Sequence, residues 1–389
     1  MEAVLDPTGL ISPVLGQFII EEEKNRRLSE PVLKALKEGG FLKLFCPLSL
    51  GGSESDPLFV AKLVEEVAGQ NTAAGWSMMV ANTSAWWCRS LPEQGVREIF
   101  MNNGDTFVAG AFHPPVQATP TKGGYLINGR SPLASNVHEA KWIFVTALIM
   151  EQGQVKIRNG MPEVIGVFMK AGECRIIDTW YTLGMKATDS NDVVAENVFV
   201  ADHLFFPLMP GLATNSYYQG PLYKFPAIGA SIACLIAPVA LAVARNAINE
   251  VKNLATKKTP FGSAVPMRER GAVQRKLGMA EAMVQSSRAY LHHTIGECWK
   301  KTVAGKELSL EERAGLLLAA THTNQSCFSA VDLMYSAAGS SAIYTTNKLA
   351  HYYADAQVIR QHGFVNDSRY ETAAQVYLGL QPDLPVLAF

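Results

Sequence analysis

The spacing of apolar residues changes twice along this chain, and those two changes divide it into three. Up to about residue 105 the spacing is helical. From Phe107 to about Phe206 it falls to two, with frequent Gly, Pro and Asn, and from Tyr223 onward it returns to long helices. With 389 residues the chain is too long for one simple core. The pattern predicts an α+β protein with a helical domain at 1–105, a small β-barrel or sandwich at 106–210 and an antiparallel four-helix bundle at 211–389.

Local signals sharpen this outline. Ser29-Glu30-Pro31 opens a helix with a cap and an early proline, and Gly39-Gly40 closes it. Asp56-Pro57 starts a second helix, and Thr72 to Leu91 reads as a longer apolar one carrying Trp76, Trp86 and Trp87. In the β region, Gly123-Gly124 and Asn128-Gly129 read as turn dipeptides around a short strand at Tyr125–Ile127. A second apolar run follows at Trp142–Ile149. Four helices are predicted at Ala227–Thr256, Met267–Ala304, Leu310–Ala338 and Leu349–Leu378.

Net charge is −1 and 18% of residues are charged, so no basic field for nucleic acid or a membrane surface is present. Six scattered cysteines form neither a metal cluster nor a disulfide framework and read as reduced thiols of a cytoplasmic protein. The apolar run Ile228–Ala244 contains Ser231 and Pro238 and reads as a buried helix. No signal peptide is expected.

The domain order, with several motifs, resembles the acyl-CoA dehydrogenase fold, and within it the two-component flavin-dependent monooxygenases that use reduced flavin from a separate reductase. The run from Gly123-Gly124-Tyr125 through Gly129-Arg130, Ser135, Ala140 and Trp142 matches the middle-domain motif of that branch, with Asn136 replacing a glycine. Leu183–Asp192 is similar to its second β-domain turn. Lys258–Ser263, Ala337–Tyr344 and Asp355–His362 are similar to its helical motifs.

The resemblance implies FAD, as FADH2, with FMN as the other choice, held between the β domain and the bundle. Leu133, Ser135, Asn136 and Trp142 would border the ring, with Ser135 hydrogen-bonding at its N5 edge. Lys258, Phe261, Gly339 and Ser340 would serve the pyrophosphate and the flavin of a neighbouring subunit in a homotetramer. His362 matches the histidine placed over the flavin, able to hold or donate a proton or to deprotonate a phenol or indole. It is placed late in the last helix, on roughly the same face as Glu371. Asn82 stands in for an absent substrate-anchoring histidine and joins His362 and Ser135 as a catalytic candidate. An aromatic substrate pocket is expected from Trp86, Trp87, Tyr217 and Phe364, with Tyr218 beside it. Trp76, His113 and His138 read as structural, and Ala354-Asp355 departs from an expected Arg-Asp pair. The implied reaction is hydroxylation or epoxidation of an indole-like or phenolic compound by O2 through a C4a-hydroperoxyflavin. The competing readings are an acyl-CoA dehydrogenase with Glu371 as base, and a flavin-binding scaffold.

Overall fold

A computed structural model describes residues 12–100, 106–209, 211 and 214–388. The helices begin where the caps require. Ser29 precedes α2 (Glu30–Glu38), which follows α1 (Ile19–Asn25). The Asp56 carboxylate accepts the Leu58 and Phe59 N–H groups at the start of α3 (Pro57–Gln70). Helix α4 (Thr72–Trp87) lies almost entirely buried, and α5 (Glu93–Phe100) completes the first helical layer.

The middle of the chain is one mixed sheet. Its strands are β1 (Val108–Thr121), β2 (Gly124–Ala134), β3 (Trp142–Glu151), β4 (Gln154–Val155), β7 (Val164–Lys170), β8 (Arg175–Ile177), β9 (Asn191–Ala201) and β10 (Phe205–Pro207). A separate small pair is made by β5 (Ile157–Arg158) and β6 (Met161–Pro162). The order is β10-β7-β3-β1-β2-β9-β8, with β4 paired to β3. Strands β1 and β3 run parallel, and the other pairs are antiparallel.

Asn128-Gly129 is not the expected turn. Strand β2 runs straight through it, and the pairing with β9 slips between Ile127 and Gly129. Asn128 exchanges hydrogen bonds with Asn197 across the slip, and Gly129 adopts φ 137°, which a side chain would resist.

The helical C-terminal region contains α6 (Ala227–Ala230), α7 (Ala233–Lys257), α8 (Gly271–Val303), α9 (Leu310–Ala338), α10 (Lys348–Ile359) and α11 (Ser368–Tyr377). Helix α9 packs against both α7 and α8, and α10 and α11 lean on it. Its start is fixed by a reciprocal cap, in which the Ser309 hydroxyl accepts the Glu312 N–H and the Glu312 carboxylate accepts the Ser309 N–H. The most apolar window of the α6–α7 segment is wholly buried, as a core helix requires. Two of the predicted long helices are broken. The first breaks at Ser231, where the Thr83 hydroxyl donates to the Ser231 carbonyl. The second breaks at 360–367, where Asn324 and Gln325 of α9 donate to the Val365 carbonyl. Both breaks border the same cavity.

Candidate active site

A cavity of 460 Å³ opens where α4, the sheet, the α6–α7 break and the end of α10 meet. That is well above the roughly 150 Å³ that holds a benzene ring in an apolar core. Helix α4 contributes one stripe at helical spacing, Trp76, Met79, Val80, Thr83 and Ser84. The sheet adds Gly110 and Phe112 beside the irregular stretch of β1 between Ala111 and Val116. At the end of β2 the pairing with β9 slips again between Ser131 and Ala134, and Leu133 takes φ 65°, rare for a bulky residue. Leu133 keeps 57% of its surface exposed at the cavity wall.

The opposite wall is the loop from Trp180 to Ser190. It is docked on α10 through Gly184, where an added Cβ would come within 2.3 Å of the Ala354 carbonyl carbon. One residue on, the buried Asp355 carboxylate accepts the Met185 N–H at 2.6 Å, and Met185 takes φ 53°. The missing side chain at Gly184 therefore lets the loop seat against the helix backbone.

Four hydroxyl and indole groups form a chain along this wall. Thr188 gives its one hydroxyl hydrogen to the Met185 carbonyl at 2.8 Å. In its 2.8 Å bond with Ser190 it must then accept, so Ser190 donates. By the same step Ser135 donates to Ser190 at 2.8 Å, and Trp76 Nε1–H donates to Ser135 at 3.0 Å. The direction is thereby fixed from Trp76 to Met185. Ser135 faces the cavity with a lone pair and no hydrogen to give.

His362 lies just past the end of α10, in the turn that precedes α11, and lines the cavity with Phe364. Its ring meets Trp76 edge-on, with centroids 5.6 Å apart, and Nδ1 accepts the Phe364 N–H in a long 3.4 Å contact. The ring hydrogen therefore belongs on Nε2. Burial pushes the imidazole down to about 4, so it is neutral at physiological pH. A neutral imidazole with Nδ1 occupied is a hydrogen-bond donor here, which replaces the expected role of base toward phenol or indole.

Of the sequence-predicted residues, Leu133, Ser135, His362 and Phe364 meet in the cavity. Several others are corrected. Asn82 is buried with its side chain committed: Oδ1 accepts the Phe45 N–H, and Nδ2 donates to the Phe41 and Met78 carbonyls. It ties the 41–45 turn to α4 and is no substrate anchor. Trp86 and Trp87 are core. Trp87 continues the cavity stripe one turn further but lies parallel to Phe144 and Phe206, 6.2 Å from each, and Trp86 Nε1 donates to the Leu222 carbonyl. Tyr217 receives the Arg97 guanidinium at its hydroxyl, and Tyr218 donates to the Ala85 carbonyl, both away from the cavity. Asn136 and Trp142 lie behind the wall, Asn136 donating to the Ser77 hydroxyl and Trp142 buried on β3. Lys258 is placed elsewhere, donating to the Ala338 carbonyl at 2.8 Å and to Ser341 at 2.7 Å, beside Gly339 and Ser340, while Phe261 is wholly exposed. Glu371 is exposed on α11, and the break after α10 removes the shared helix face with His362. His138 pairs with Asp189, and the side chain of His113 is outside the described residues. Trp76 was missed. Its signal was the hydroxyl-bearing and apolar stripe it begins on α4.

Asp355 yields a first prediction. Burial raises its carboxyl to about 6, above the unfolded value. The fold therefore binds an extra proton between about 4 and 6, so the stability this group contributes is present below that range and lost as pH rises through it. The loss is about 3 kcal/mol. Asp355→Asn keeps an acceptor for the Met185 N–H without the charge. Urea unfolding at pH 4.5 and 7 should show a smaller pH dependence in the variant, and equal slopes would remove Asp355 as the cause.

Residues 234–367 match the family described as acyl-CoA dehydrogenase, C-terminal domain. Together with the structural likeness, this gives the chain an acyl-CoA dehydrogenase-like fold. Within it, the similarity is to flavin-dependent monooxygenases. The chain is 28% identical to an indole-3-acetate monooxygenase of Acinetobacter baumannii, covering 93% of this chain and 90% of that one. It is 24% identical to the flavin-dependent monooxygenase oxygenase subunit HsaA of Rhodococcus jostii, covering 90% and 91%. The structure of XiaF from Streptomyces, in complex with FADH2 and glycerol, superposes with a TM-score of 0.88 at 22% identity, covering 96% and 94%.

Proposed function

We propose that this protein is the oxygenase component of a two-component flavin-dependent monooxygenase that hydroxylates or epoxidises a flat indole-like or phenolic compound. The observation that carries this reading is one apolar cavity in which Ser135 offers an acceptor and His362 offers the Nε2–H donor.

A tricyclic isoalloxazine suits these residues. Trp76, Leu133, Phe112 and Phe364 supply flat or branched apolar walls. At the N5 edge, where the resemblance sets it, Ser135 would accept the N5–H that reduced flavin has and oxidised flavin lacks, and this favours FADH2 (or reduced FMN). When bound, reduced flavin would supply the two electrons that activate O2, so that one oxygen atom passes to the substrate and the other leaves as water. The apolar walls exclude water from that step. His362 holds a hydrogen at Nε2 and presents it to a developing oxygen charge. The Trp76–Ser135–Ser190–Thr188 chain keeps the acceptor in place.

The reading extends beyond the cavity. A separate reductase would supply FADH2, in keeping with the oxygenase subunit to which the chain is similar. Lys258, Phe261, Gly339 and Ser340 would face a neighbouring copy and its cofactor in a homotetramer, which would cover Phe261, Ile343 and Tyr344, all exposed here. The division at 1–105, 106–210 and 211–389, with a C-terminal four-helix bundle, and a cytoplasmic setting belong to the same proposal.

The dehydrogenase reading needs a carboxylate in the cavity, and Glu371 is outside it. The two are separated by adding O2 to protein charged anaerobically with FADH2 and indole. Oxygenated indole should appear, and Glu371→Gln should stay within about twofold of the parent. Bleaching of bound FAD by an acyl-CoA, lost in Glu371→Gln, would reverse the assignment.

A further inference from the structure

The cavity carries no formal charge. Among its twenty-four described lining residues there is no Asp, Glu, Lys or Arg. Its polar groups are hydroxyls, the amides of Gln357 and Gln361, and His362. We propose that the site selects uncharged aromatic compounds bearing at most a hydrogen-bonding N–H or O–H, and rejects aromatic carboxylates. This rests on the oxygenase reading and narrows it to a substrate class. It also separates this chain from the relative whose name specifies indole-3-acetate.

Three observations converge on it. A carboxylate entering an apolar wall with no cation loses its hydration and gains no partner. The His362 imidazole stays neutral and cannot supply the missing positive charge. The fixed charges behind the loop wall supply no free cation: Asp355 sits directly behind Met185, accepting its N–H, and Arg26, which donates to the Trp180 carbonyl, is paired with Asp178. The charges that accompany Asp355 do not reverse this. Glu23 pairs with His351 at 2.7 Å, Glu22 is bonded to Ser29 and Asn71, and Lys186 faces the outer side of the loop, away from the cavity. Apolar area favours a ring, whereas the same walls oppose its charged substituents.

The test compares indole, indole-3-acetamide and indole-3-acetate by calorimetry on the purified protein, with and without FAD. The amide and the acid have nearly the same shape, so their ratio isolates the charge. Indole and the amide should bind, with the acid at least about a hundredfold weaker than the amide. Leu183→Arg, which sets a cation at the cavity rim, should narrow that ratio at least about tenfold. Acid and amide binding within about threefold of one another would overturn this inference and leave the oxygenase reading standing. Failure of both neutral ligands to bind would overturn the aromatic-pocket reading and this inference with it.

Discussion

Replacing His362 by alanine is expected to lower oxygenated product by about 100- to 10,000-fold, the usual span for losing a positioned proton donor. Flavin binding should change by less than about threefold, because apolar walls and Ser135 supply most of the ring's contacts. The reason lies in where the hydrogen sits. Phe364 N–H occupies Nδ1, so the donor is Nε2, and the ring is held edge-on to Trp76 inside the cavity. Burial keeps this imidazole neutral down to about pH 4. The pH profile of product formation should therefore lack a step near 6.5, where an ordinary histidine would titrate. His362→Gln restores an N–H donor without a titrating ring and should recover part of the loss. Product formation within about threefold of the parent in His362→Ala would remove the residue from the chemistry. An unchanged yield per turnover with weaker substrate binding would instead make it a substrate contact.

The sequence carried the local features because local residues decide them. Asp56 caps its helix through its own neighbours, and the three-part change of period follows from which faces are buried. The misses have a common physical origin in long-range contacts. Apolar spacing runs on from Leu349 past Val365, so the chain reads as one helix, and only Asn324 and Gln325 from α9 reveal where the backbone turns. That turn carries His362 into the cavity and moves Glu371 away. Asn128-Gly129 reads as a hairpin turn, but pairing with Asn197 on β9 converts it into a slip within a continuous strand. Trp76 and Trp87 lie on one stripe of α4. Nothing local says that the cavity faces the first and Phe144 with Phe206 the second. Asn82, a lone amide on an apolar helix, draws attention as a binding group, although its three hydrogen bonds all go to backbone.

Ser190→Ala is expected to cost the site its preference for reduced flavin. In the parent, Ser135 spends its only hydrogen on Ser190, because Ser190 must donate onward to Thr188, whose own hydrogen goes to the Met185 carbonyl. A ring N–H finds an acceptor at Ser135, whereas a bare ring nitrogen meets lone pair against lone pair. Removing the Ser190 hydroxyl frees the Ser135 hydrogen to turn into the cavity, and oxidised flavin then gains a donor. A repulsion replaced by a hydrogen bond is worth about 1.5 kcal/mol, or roughly tenfold in the ratio of the two affinities. For a two-electron couple that lowers the midpoint potential of the bound flavin by about 30 mV. Thr188→Val should act in the same direction from one link further away, since Ser190 could then donate to Ser135 and release its hydrogen. Redox titration of the bound flavin reads both variants without any substrate. A potential unmoved in both, with flavin still bound, would mean that the hydroxyl chain has no fixed direction and that reduced flavin is selected by other groups.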